Sequence, residues 1–408
     1  MTDIKTAVTE CAFELGFDLV RVTSAEEFVE DRAVTLERLR DGLMDGLPWY
    51  NEARVVRGTN PQELLPGARS IICLGLSYYR PGESGVETPN PAGKVARYAW
   101  LEDYHKVMKK RMRDYVEGLS SRLETSIAAR WYVDDGPMLD RAAAQRSGLG
   151  WFGKNTNILT PSHGSWVFLG QVVTDLEIEP DPPLRKTCGT CVRCIDACPT
   201  GAIVAPYVID NTRCISYLTI ENRGPIPREF RPQMLDWVFG CDICQDVCPV
   251  NRKALPGNSP LWKEDQIPTG LTRNGRKAGD APGGGLGSLD LVELLQISEE
   301  EFRRRFKGSP ILRAKRVGLQ RNACVALGNL ADPASVAALC QALAEGEPLV
   351  RGHAAWALGR IGTPEARRAL DEAPSQERDP EVLEEIGAAL AELGNPVAGS
   401  TGDYVTMD

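Results

Sequence analysis

Eight of the twelve cysteines in this 408-residue chain fall between Cys188 and Cys248, and their spacing suits a pair of iron–sulfur cubes. Cys188-Gly-Thr-Cys191-Val-Arg-Cys194-Ile-Asp-Ala-Cys198-Pro199 is a C-x2-C-x2-C-x3-C-P run. Three cysteines at that spacing wrap one [4Fe–4S] cube, and the turn at Pro carries the fourth to a neighbouring cube. The second half is less regular: Cys241-Asp-Ile-Cys244-Gln-Asp-Val-Cys248-Pro249, completed by the isolated Cys214. By this crossing, Cys188, Cys191, Cys194 and Cys248 are expected to hold cluster one, and Cys198, Cys214, Cys241 and Cys244 cluster two. Zinc sites also use cysteine, but rarely in such an interleaved run. Two neighbouring clusters form an electron wire, and a wire implies an acceptor elsewhere in the chain. Cys11, Cys73, Cys324 and Cys340 lie in apolar contexts and are expected to be small core residues.

The acceptor must come from residues 1–180. No G-x-G-x-x-G follows a strand-like segment there, so a dinucleotide fold is poorly supported. The block Val133-Asp134-Asp135-Gly136-Pro137 places acids at the end of an apolar run, before a turn. A carboxyl there can project into a pocket, where burial would raise its pKa and fit it to donate a proton. Turn formation or helix capping is the plainer role for such an Asp; the wire tips the reading toward the first.

The elements that position these residues follow from periodicity. An amphipathic helix around Thr6–Leu15 leads through Gly16 into DLVRV. Apolar runs then recur at 70–79, 130–135 and 165–175, separated by helical stretches such as DYHKVMKKRMRDYVEGLSSRLE. Residues 1–180 thus read as an α/β domain, a sheet flanked by helices. Residues 181–255 form the cysteine-rich segment, with little apolar periodicity, so metal is expected to supply much of its core. Residues 256–288 are Gly-rich and basic and read as a flexible connection. From 289 to 396 helical periodicity takes over: ALGNLADP (326–333) recurs as ALGRIGTP (357–364) and more weakly as ALAELGNP (389–396). Those spacings are those of HEAT-like hairpins, which bury their cores by stacking; a plain helical bundle is the alternative. Residues 397–408 form a tail.

Composition bounds the class. A 42% hydrophobic content supports several globular cores, and the net charge of −9 argues against a uniformly basic nucleic-acid coat. With no export-like N-terminus and no long apolar stretch, a cytoplasmic, membrane-free location is expected, and cysteine pairs of C-x-x-C type there mean metal rather than disulfides.

The blocks ARYAWLEDYHK (96–106), VDDGPMLDRA (133–142), GLGWFGKNTNIL (148–159), GSWVFLGQVVTD (164–175), the two cysteine runs and RNACVALGN (321–329) occur in one collinear order. Together they resemble the epoxyqueuosine reductase family across nearly the whole chain. The resemblance implies an α/β cobalamin-binding domain, a bacterial-ferredoxin-like insert with two [4Fe–4S] clusters, and C-terminal HEAT-like repeats. It implies an oxidoreductase that reduces the epoxide of epoxyqueuosine in a tRNA anticodon loop to the alkene of queuosine, the last step of queuosine biosynthesis. It also implies that Asp134 is the proton donor; the family commonly has a small polar residue in place of Asp135 and Ala in place of Gly136, which keeps Asp135 in play. Arg57, Arg97, Lys154, Ser165 and Ser216 fall in family blocks that implicate them in holding cobalamin. Many corrinoid proteins ligate cobalt through D-x-H-x-x-G. Here Asp103-Tyr104-His105-Lys106-Val107-Met108 lacks the Gly, so His105 reads as a pocket group rather than a ligand.

Arg303, Arg304, Arg305, Lys307, Arg313, Lys315, Arg316 and Arg321 put eight positive charges within nineteen residues. A solvated helix face is the usual meaning of such a run, but for a tRNA substrate a phosphate track is expected instead, formed by Arg304, Arg305, Lys307, Arg313, Lys315, Arg316 and Arg321. The expected partners are tRNA and a low-potential electron donor, with the protein a monomer. Two other readings are a reductive dehalogenase-like corrinoid enzyme, which would usually carry a twin-arginine signal, and an electron-transfer module docking a partner through its helical repeats.

Overall fold

A computed structural model describes residues 3–80, 91–257 and 287–394. Most of the expected Gly-rich connection (256–288) and the whole tail (397–408) lie outside the described residues.

Among the described residues, nine strands form three sheets: β1 (Leu19–Ser24), β2 (Ser70–Ser77), β3 (Ala92–Val95), β4 (Ala129–Tyr132), β5 (Trp151–Phe152), β6 (Ile158–Leu159), β7 (Val167–Thr174), β8 (Trp237–Phe239) and β9 (Ser288–Asp290). The main sheet has the order β1-β2-β7-β4. Helices flank it as expected, and every pairing in it is antiparallel. The apolar run of β2 gave no clue to direction because all eight residues are buried. One face packs Ile72, Leu74 and Leu76 against the N-terminal helix Ile4–Glu14 and the helix Tyr104–Arg122. The other packs Ile71 and Cys73 against Ala142, Ala143 and Ala144 of the helix Asp140–Arg146. A strand covered on both sides loses its period-two alternation.

Helix Tyr104–Arg122 matters most for the site. Asp103 caps it by accepting from the His105 backbone N–H at 3.2 Å, and Tyr104, Met108, Met112, Tyr115 and Leu119 form its buried stripe. It approaches β7 closely because position 170 is glycine; a Cβ there would lie 2.9 Å from the Met112 sulfur.

The three repeated strings close the helices Lys315–Leu330, Pro348–Ile361 and Pro380–Gly394. Ala331 and Gly362 end the first two in the left-handed conformation, the role of the small residue before the Pro. The cysteine segment is less dependent on metal than expected. Ile215, Leu218, Ile226, Met234 and Trp237–Phe239 join one apolar core with the helical repeats. The sheet β8-β3-β9 also stitches the N-terminal part, the cysteine segment and the start of the helical part together. Scattered aromatic and aliphatic residues without a period concealed this. Cys11, Cys73 and Cys324 are buried, whereas Cys340 is only half-buried. No helix among the described residues is long and apolar enough to cross a membrane.

Candidate active site

The chain brings the eight cysteines into two groups of four. The thiols acting on Cys194 and Cys248 are drawn from Cys188, Cys191 and each other. Those acting on Cys214, Cys241 and Cys244 come chiefly from within the set Cys198, Cys214, Cys241 and Cys244. No trio of His, Cys, Asp or Glu among the described residues gathers tightly enough for a single metal ion. Burial pushes the thiols of Cys214, Cys241 and Cys244 up, so thiolates there need a cation beside them.

A cavity of about 530 Å³ opens beside one quartet only: Cys198, Cys214, Cys241 and Cys244 all line it, and the other four cysteines do not. Asp134 lines the same cavity. β4 ends at Tyr132, and Asp134 itself is in the left-handed region (φ 48°), a conformation that Asp tolerates better than most residues. The carboxyl therefore does not follow strand alternation. Asp134 turns into the cavity, while Asp135 pairs with Lys109 on the helix. Next to them, a Cβ at Gly136 would run into the Tyr132 ring at 2.1 Å.

Two side chains from the capped helix grip Asp134. The Tyr104 hydroxyl donates to Oδ2, and His105 Nε2 lies 2.9 Å from Oδ1. His105 Nδ1 meets Asp103 Oδ1 at 2.7 Å, so both ring nitrogens are engaged. Tyr104 is sandwiched between the His105 ring (4.1 Å) and the Phe168 ring (4.2 Å, 4° from parallel). Burial raises the cost of charge on Asp134, but the hydrogen bonds from His105 and Tyr104 and the positive charges of His105 and Arg313 outweigh it, and its pKa is lowered. This corrects the expectation that burial would raise it. Burial likewise opposes charge on His105, yet Asp103 and Asp134 carry its pKa up to about 9. At neutral pH the pair rests as imidazolium and carboxylate.

The same chain arrangement recurs in known proteins. A model described as epoxyqueuosine reductase QueG matches residues 59–135, one for a 4Fe-4S double cluster binding domain matches 187–251, and one for HEAT repeats matches 310–391. An epoxyqueuosine reductase from Cellulophaga algicola is 39% identical over 311 residues, covering 76% of this chain and 94% of the relative. One from Xanthomonas campestris pv. campestris is 37% identical over 368 residues, 88% and 97% of the two chains. The chain belongs to the epoxyqueuosine reductase family. A crystal structure of an epoxyqueuosine reductase with a tRNA-Tyr epoxyqueuosine-modified stem loop superposes with a TM-score of 0.85 at 32% identity, covering 96% of this chain and 99% of that one.

Within this epoxyqueuosine reductase fold, the residues expected around cobalamin scatter. Ser165 and Ser216 line the cavity. The Ser165 hydroxyl oxygen accepts from Gln245 at 2.9 Å and Asn251 at 2.8 Å, leaving its own O–H to donate. Ser216 bonds the Cys214 thiol, where the inner quartet meets the cavity. Arg97, Lys154 and Arg57 are not cavity residues. Arg97 is held by Asp242 and Asp246, at 2.7 Å from its backbone N–H and 2.6 Å from Nη1. Lys154 points to the outer cysteine loop, its Nζ 2.8 Å from the Gly189 carbonyl. Arg57 is exposed on the helix Glu52–Gly58.

The basic run divides. Arg321 is fully buried, donating to the carbonyls of Asn222, Gly224 and Leu218, and cannot touch a nucleic acid; it is an internal clasp. Arg303 and Arg304 pair with Glu299 and Glu301 on their own helix, and Arg305 with Glu293. Arg316 is shared between Glu299 and Glu347. Lys307 and Lys315 are exposed. Arg313 lines the cavity and pairs with Glu221 at 2.5 Å; burial works against its charge, but Glu221 and Asp134 hold its pKa above the ordinary value. Sequence reasoning also passed over Asp140, another of the cavity's carboxyls, whose pKa burial pushes up, helped by the charge of Asp134. Tyr104 was missed as well. Its place beside His105 in a capped helix was the only signal.

Proposed function

We propose that the chain reduces the epoxide of epoxyqueuosine in a tRNA anticodon loop with a corrinoid seated in the Asp134 cavity. The supporting observation is the cavity itself, lined both by all four cysteines of the inner quartet and by Asp134. Removing the epoxide oxygen as water takes two electrons and two protons. In this reading the two quartets hold [4Fe–4S] clusters in series, the one built on Cys188, Cys191, Cys194 and Cys248 outermost. A low-potential one-electron donor supplies them.

The cavity fits a corrinoid by its chemistry. Flat aromatic walls from Tyr78, Tyr98, Tyr104 and Phe168 suit a planar macrocycle, and Asn155, Gln245, Ser165 and Ser216 suit its rim of carboxamides. His105 is the only cavity histidine, and both its nitrogens are engaged, which supports cobalt without a histidine ligand. When bound, the corrinoid supplies a strongly reducing, nucleophilic cobalt centre.

The side chains handle the proton. The departing oxygen is far more basic than a carboxylate, so it can draw a proton through Asp134 even though the acid rests ionised. His105, charged at neutral pH, recharges it, and the Tyr104 hydroxyl fixes its second oxygen. Lys307 and Lys315, exposed and outside the ion pairs that take up the arginines, serve as the phosphate contacts. The test is corrinoid dependence. Protein carrying both clusters, given reductant and an epoxyqueuosine stem loop, should leave the epoxide intact until cobalamin is added. Conversion without a corrinoid would overturn the proposal.

A further inference from the structure

Beside the outer quartet lies a buried cation. Lys154 is only 9% exposed. Its Nζ donates to the Gly189 carbonyl at 2.8 Å, and its backbone N–H points at Cys188 Sγ at 3.4 Å. Among the described residues no carboxylate pairs with it. Taking an ammonium out of water with only a neutral carbonyl to meet it is costly, and lysine is rarely so buried without an anion. The neighbouring residue makes a different contact. Asn155, also buried, donates from Nδ2 to the Cys244 carbonyl at 3.2 Å, on the loop of the inner quartet. One turn therefore presents a cation to the outer quartet and a neutral amide to the inner one.

A cube held by four thiolates is a net anion, and each electron it accepts makes it more negative. A fixed positive charge beside it favours the reduced form, as do N–H···S hydrogen bonds. We propose that Lys154 is the counter-charge of the outer cluster and raises its reduction potential relative to the inner one, so that it is the cluster that takes the electron from a low-potential one-electron donor. The step is the addition of one electron to the oxidised outer cube; no bond breaks and no proton moves. The inference rests on the two-cluster reading of the cysteines. It reassigns a residue that the family blocks suggested for the corrinoid.

The test is a redox titration of the anaerobically prepared holoprotein followed by electron paramagnetic resonance, with iron counted first. Wild-type protein without about eight irons per chain would overturn the cluster reading itself, whatever Lys154 does. In Lys154→Met and Lys154→Gln the backbone N–H remains and only the charge is lost. One midpoint potential should fall until the reduced-to-oxidised ratio at fixed potential drops at least tenfold, about 59 mV for one electron, while the other midpoint stays put. Lys154→Arg should remain near wild type. Unchanged midpoints in the loaded neutral variants, or equal shifts of both, would overturn the proposal. So would loss of the outer cluster from both neutral variants, since it would assign the ammonium to holding the cube rather than to its potential.

Discussion

The charge state of Asp134 is set by residues about thirty positions earlier in the chain. The Gly-Pro turn after it singled out the acid in the sequence, but the partners that set its charge, Tyr104 and His105, come from another element. That contact could not be read from local pattern, and the direction of the pKa shift was misjudged for the same reason. Asp134→Asn should retain clusters and cofactor while turnover falls about 10²- to 10⁴-fold in single-turnover assays. Asp135→Asn should cost far less, because its carboxylate is taken up by Lys109; the reverse ranking would move the role to Asp135. The His105 pKa is raised from its ordinary value to about 9 by two carboxylates. A raised folded pKa means the charged bridge is fully present below pH 6.5 and is lost as pH rises through about 9. Turnover should therefore decline with an alkaline limb near pH 9 that His105→Asn abolishes or displaces. An unchanged limb would detach His105 from proton delivery.

At the scale of elements, the cysteine runs were legible because a cube imposes its own spacing on the chain. The solitary Cys214 follows the short turn Asn211–Arg213 and lines the cavity with Cys198, Cys241 and Cys244. Cys198→Ala should remove the inner cluster while leaving the outer one, with iron falling by about half; a full complement of iron would refute the crossed assignment. The basic run was less legible. The three glutamates in SEEEFRRRF precede the arginines by about one helical turn, so they neutralise Arg303 and Arg304 within the same helix. Replacing both arginines by Ala should barely change the salt dependence of stem-loop binding. Replacing Lys307 and Lys315 should lower the slope by roughly one counterion each. Equal slopes for the two double variants would place the phosphate contacts elsewhere.

Over the whole molecule, the repeats were readable as hairpins, but their attachment to the cluster segment was not, because it uses single polar residues with no period. Arg231, almost fully buried, is gripped by Glu385 at 2.6 and 2.8 Å, and the His353 ring accepts from the Ile226 N–H at 3.1 Å. Glu385→Ala would strand a buried guanidinium and should cost about 3–5 kcal/mol, seen as a lower unfolding midpoint with the cofactors loaded; an unchanged midpoint would mean the joint is held by apolar packing alone. The cysteine segment that this joint holds also supplies Cys198, Cys214, Cys241 and Cys244 to the cavity they share with Asp134. Nucleoside analysis tests that shared cavity most directly. Protein loaded with both clusters and a corrinoid is mixed with an epoxyqueuosine stem loop and a measured amount of strong reductant, and the digested nucleosides are counted. One alkene should appear for every two electrons delivered; an epoxide left intact by fully loaded, reduced protein would contradict it.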